Sequence, residues 1–90
     1  MSEGAATVKA EAAAVRAILH GVWDPIGAGV PEDEYDSYLW PVLALLRRKA
    51  PREALASYLR WAADERMTVS VPEERLERVL DMLVAVDVAA

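Results

Sequence analysis

Apolar residues recur every three or four positions along almost the whole chain, the mark of helices that hide one face. Val8, Ala12, Val15, Ile18, Leu19 and Val22 form one stripe. Tyr35, Leu39, Val42, Leu43 and Leu46 form a second. Leu55, Tyr58, Leu59 and Ala62 make a third, and Leu76, Val79, Leu80 and Leu83 a fourth. No stretch alternates with a period of two for long enough to build a sheet. The β-branched run MTVSV at 67–71 has no partner strand and reads as a loop. The pattern predicts an all-α fold: a compact single-domain bundle of about four helices over residues 1–90, with ends 1–4 and 87–90 frayed. The expected helices cover 5–21, 32–49 with a kink or break near Pro41, 51–66 and 72–86.

Proline punctuates this pattern. Pro31, Pro51 and Pro72 each precede a periodic run and are followed by Glu32, Glu53 and Glu73. A proline at the first helical position loses no hydrogen bond, and an acid in the first turn suits the helix dipole. Three helix starts are predicted there. Pro41 differs, because it falls inside the second stripe, cannot donate to the carbonyl of Ser37 and disfavours helical geometry at Trp40. A single kinked helix is the preferred expectation; the alternative is a short helix ending near residue 39 and a longer one beginning at Pro41.

The stretch VWDPIGAGVPEDEYD at 22–36 joins the first two helices. Asp24-Pro25 starts a turn, and Gly27 and Gly29 permit backbone angles closed to other residues. Trp23 and Ile26 are too apolar for a free loop, so both are expected to fold back on the core, with Trp23 buried, Asp24 holding the loop and the acids facing out. The competing reading presents the loop to a partner, with Trp23, Asp24, Asp33, Glu34, Tyr35 and Asp36, together with Trp61, as contact residues. Trp61 lies between the core positions Tyr58 and Ala62 and is expected to be half buried; with Trp23, Tyr35 and Tyr38 it would make an aromatic patch rimmed by acids.

Composition narrows the options. Ninety residues make one domain with a thin core. There is no cysteine, hence no disulfide and no thiolate metal site. The N-terminal stretch lacks a signal-peptide pattern and no apolar run suits a membrane span, so a soluble cytoplasmic protein is expected. The net charge of −5 argues against nucleic acid, whose affinity rests on neutralising phosphates, and favours a basic protein surface as partner. The basic run RRKAPR at 47–52 is explained by cations in the last turn of the second helix.

Catalytic and metal chemistry find little to use. The serines lie in no strained nucleophile turn, and the GAG at 27–29 follows no strand and lacks the third glycine of a dinucleotide fingerprint. No catalytic residue, metal ligand or cofactor is assigned. His20 with Asp24, Glu32, Asp33 and Asp36 is the only set that a divalent ion could use, and its spacing matches no known ligand motif.

Trp23-Asp24-Pro25-Ile26-Gly27, then Asp33-Glu34-Tyr35-Asp36, then Leu45-Leu46, then Leu55 to Leu59, resemble a family of small bacterial helical proteins of unknown function that carry W-D-P-I followed by D-E-Y-D. The similarity covers roughly residues 15–67 and departs from the pattern at Ala28-Gly29, which lengthens the loop. The resemblance implies a compact helical domain and transfers no activity, cofactor or catalytic residue; related small acidic proteins look like immunity factors of toxin systems. Three functions follow. The first is a non-catalytic protein–protein interaction module, immunity-like in character. The second is a small metal- or ligand-dependent enzyme or sensor using the 20–36 region, with His20, Asp24 and Asp36. The third is a homodimer, built on the acidic and basic ends of the second helix and the exposed tryptophans.

Overall fold

The computed structural model describes residues 3–27, 29–86 and 88, with side chains from Val8 onward. Four α-helices follow one another: α1 (Glu3–Ile18), α2 (Asp36–Arg47), α3 (Arg52–Trp61) and α4 (Glu73–Val84). Two five-residue π turns, Leu19–Trp23 and Ala62–Arg66, extend α1 and α3. There is no strand among the described residues, and 67–71 is irregular, as expected. The α1 helix already includes Glu3. The rest of the expected fraying falls on residues 1–2 and 87–90, of which only Val88 is described.

The four predicted stripes meet in one core. Val15, Trp23, Leu39, Val42, Leu55, Leu59, Val79 and Leu83 have no exposed surface at all. Ion pairs tie the helices together in antiparallel order. Arg16 and Arg47, at opposite ends of their pairing, join α1 to α2 through Asp36 and Glu11. Arg52 reaches Glu77 and Asp81, and Arg60 reaches Glu73, joining α3 to α4. The α4 helix also packs on α1 and on the first π turn, which closes the bundle. The radius of gyration is 12.8 Å, near the roughly 12 Å of a compact domain of this length.

The first π turn moves the buried stripe. A helix that continued with α spacing past Leu19 would bury Val22. In the wider turn the N–H of Asp24 donates to the carbonyl of Leu19 at 2.9 Å, five residues back. The added residue swings Trp23 into the core and leaves Val22 half-buried.

Two expectations about helix starts change. Pro51 and Pro72 do open α3 and α4, each one position outside the helix as its N-cap. Pro31 does not open α2, which begins at Asp36. Residues 32–35 form tight turns instead, with Glu34 N–H donating to Pro31 O at 3.0 Å and Asp36 N–H to Asp33 O at 3.1 Å. These turns bring the Tyr35 ring onto Trp23, and that burial outweighs the local preference for a helix start. Pro41 breaks nothing: α2 runs through it as one helix, with the proline ring on the exposed side.

The connections carry backbone strain outside glycine. Asp24 (φ 28), Lys49 (φ 55) and Thr68 (φ 56) sit in the left-handed region, one in each connection between helices. Lys49 closes a Schellman motif at the end of α2: Ala50 N–H donates to Leu45 O and Lys49 N–H to Leu46 O, both at 3.0 Å.

Candidate functional site

The loop after the first π turn is built around Asp24. Its Oδ1 accepts from the Tyr35 hydroxyl at 2.7 Å and from the Gly27 N–H at 3.2 Å. The Tyr35 oxygen in turn accepts from the Ile26 N–H at 3.1 Å. Gly27 has φ 65, a conformation that side chains resist, which lets the chain fold back on Asp24. From α4, Arg75 donates to the carbonyls of Trp23 at 3.3 Å and, more weakly, Asp24 at 3.5 Å. A cation there also suits the negative end of the first helix. Trp23 lies edge-on to Tyr35 (5.5 Å between centroids) and Tyr38 (5.8 Å), a favoured aromatic geometry. Its indole N–H has no hydrogen-bond partner among the described residues. Burial, and after it the bond to Asp24, pushes the Tyr35 hydroxyl up to about 12.

Trp23 and Tyr35 are therefore core residues, at 0% and 2% exposure. The expectation of Trp23 buried with Asp24 holding the loop matches this geometry. The competing reading of Trp23 as a contact anchor is corrected, because it has no surface to offer, and Tyr35 reaches the surface only as a sliver in the floor of a groove. Asp24 is half-buried and engaged internally. Asp36 is taken by Arg16, whose guanidinium binds both carboxylate oxygens at 3.0 and 2.8 Å; that bond and the charge of Asp36 raise the Arg16 pKa. Asp33 and Glu34 face solvent, as does Glu32.

Ile26 does not fold back on the core. It is 41% exposed, whereas its neighbour Pro25 is buried. The aromatic patch is also split. Trp23, Tyr35 and Tyr38 cluster inside, while Trp61 stays 45% exposed beside Tyr58, with ring centroids 5.8 Å apart. The Arg66 guanidinium lies 5.9 Å from the Trp61 ring centroid. Arg66 also lines a groove of about 290 Å³ with Ile26, Glu34, Tyr35, Ser37, Tyr38 and Met67. This groove links the acidic turn to Trp61, and Arg66 was not legible as its link. Arg66 stands five residues after Trp61, a π-turn spacing that an α-helical reading does not bring to one place.

The metal set is dispersed. His20 Nε2 is 3.0 Å from the carbonyl of Val30, Asp24 serves the loop and Asp36 serves Arg16. Among the described residues no three His, Asp or Glu side chains are grouped so that they could hold a metal ion. The sequence reading also missed the buried carboxylate of Glu11, only 2% exposed, which binds Arg47 Nε at 2.8 Å. An acid among alanines gave no local sign of burial. No described helix is long and apolar enough to cross a membrane. A scan against protein-family models and searches of the curated proteins and the solved structures find no match to this chain.

Proposed function

We propose that this chain is a non-catalytic protein-binding module whose contact surface is the groove between the acidic turn and the second π turn. The first connection and α2 contribute Ile26, Glu34, Tyr35, Ser37 and Tyr38 to its lining, Arg66 and Met67 come from the second π turn and the residue after it, and Trp61 lies beside Arg66. The observation that carries this reading is the exposed Trp61, beside Arg66, which lines a groove that also takes in the exposed acid Glu34. A large, rigid aromatic side chain left half in water is the kind of residue that dominates interface energies. Glu32, Asp33 and Glu34 add a negative field that would steer a basic partner. The rigid loop built on Asp24 and Tyr35 supports the reading too, since a preorganised surface loses less entropy on binding. The family resemblance belongs to the same proposal, and an immunity-type inhibitor is the kind of binder it implies.

The test is affinity capture from cell extract with immobilised wild-type chain and with a Trp61→Ala, Glu34→Lys double variant. Proteins held by the wild type and lost by the variant are expected. An identical retained set for both would sink this reading of the groove.

A further inference from the structure

The outer face of α2 is complementary to its own reversal. Asp33, Ser37, Trp40, Pro41, Ala44 and Arg48 are all exposed and fall on one side of the helix and its preceding turn. Reversed about the point between Trp40 and Pro41, this row sets Asp33 against Arg48, Ser37 against Ala44, and Trp40 against Pro41. Acid meets base at each end, small residues meet between them, and an indole meets a proline ring at the centre. Trp40 is 53% exposed, the most exposed large aromatic residue of the described chain. Beside it runs a groove along α1, lined by Val8, Ala10, Ala12 and Ala13 together with Lys9 and Arg16. Among the described residues Asp33, Arg48 and the flanking Glu32 and Lys49 form no direct ion pair, though Glu32 and Asp33 lie within the field of Arg16.

We propose that a second copy of this chain docks on this face, with the two α2 helices antiparallel about a two-fold axis at Trp40–Pro41. A two-fold interface requires a self-complementary surface, and the charge order of this row supplies one. The reversed row leaves no like charges opposed. A parallel arrangement would set Asp33 on Asp33 and Arg48 on Arg48, so the charges also choose the orientation. A single helix face is a small interface, which implies a weak dimer that populates as concentration rises. This face meets the Trp61 groove at Ser37 and shares Glu32 and Asp33 with its acidic edge; Trp40 belongs to this face alone and Trp61 to the groove alone, so variants of the two tryptophans separate the proposals.

Analytical ultracentrifugation over a concentration series tests it. The wild type is expected to shift from the 9.9 kDa chain mass towards twice that value, and to shift less as salt is raised. Trp40→Ala should weaken the dimer, while Trp61→Ala should leave it unchanged. Glu32→Lys with Asp33→Lys makes both ends basic, and Arg48→Glu with Lys49→Glu makes both ends acidic; each should weaken self-association by roughly tenfold or more. Mixed together, the two charge variants should pair with one another, which no effect on folding would produce. Circular dichroism confirms that each variant is folded. A wild type that stays monomeric into the millimolar range, a dimer lost with Trp61→Ala but not Trp40→Ala, or charge variants that fail to pair on mixing would overturn the proposal.

Discussion

Tyr35 and Trp23 carry the first connection at the level of single side chains. The Tyr35 hydroxyl satisfies both Asp24 and the Ile26 N–H, so Tyr35→Phe strands two polar groups at once. A loss of about 1–2 kcal/mol is expected, read from urea unfolding. The same hydroxyl predicts a pH dependence. An unfolded tyrosine ionises near 10, whereas the folded one holds its proton to about 12. Stability is intact below pH 10, falls as pH rises through this window, and Tyr35→Phe should flatten that fall. Trp23→Ala removes a fully buried indole and should cost about 3–5 kcal/mol, enough to unfold much of a marginally stable domain. Trp23→Phe should cost clearly less, because the indole N–H forms no hydrogen bond among the described residues. Melting midpoints of the two variants decide the order.

Among the elements, α1 and α2 are joined by a pair that is itself partly buried. Glu11 is shielded almost completely, while Arg47 keeps about a third of its side chain exposed. Breaking a fully buried pair typically costs about 3–5 kcal/mol; with Arg47 partly in water, Arg47→Ala should cost about 2–3 kcal/mol. Exposed pairs such as Arg52 with Glu77 and Asp81 should matter less and fade with salt, a contrast that unfolding at low and high salt reads directly. The end of α2 holds a reserve of stability. Lys49 occupies the left-handed position of a Schellman motif, where glycine is free of strain. Lys49→Gly should gain about 0.5–1 kcal/mol despite the greater freedom of glycine when unfolded. A lower melting midpoint for that variant would count against strain at this turn.

At the scale of the whole molecule, the dispersed carboxylates carry the remaining prediction. Added zinc or magnesium should leave the melting midpoint unchanged, since an ion bound to the native state must raise it; a rise would restore the metal-dependent reading of His20, Asp24 and Asp36. The helices themselves were legible in the order of residues. Val15, Leu39, Leu59 and Leu83 sit on stripes whose spacing alone demands a shared core, because no single helix can hide an apolar face. Pro51 and Pro72 marked helix starts for an equally local reason: a proline ring fits where no N–H is needed. What local rules could not reach was decided by contacts between distant segments. The start of α2 slid from Pro31 to Asp36 once Tyr35 had Trp23 to pack on. A π turn exchanged Val22 for Trp23 in the core. Glu11 went inside because Arg47 followed it there. Arg66 came beside Trp61 through a spacing that α periodicity does not contain, and onto one groove with Glu34 through tertiary packing. Periodicity states which residues must leave water; only the packed chain states which residue meets which, because that choice depends on the summed fit of neighbours far apart in sequence.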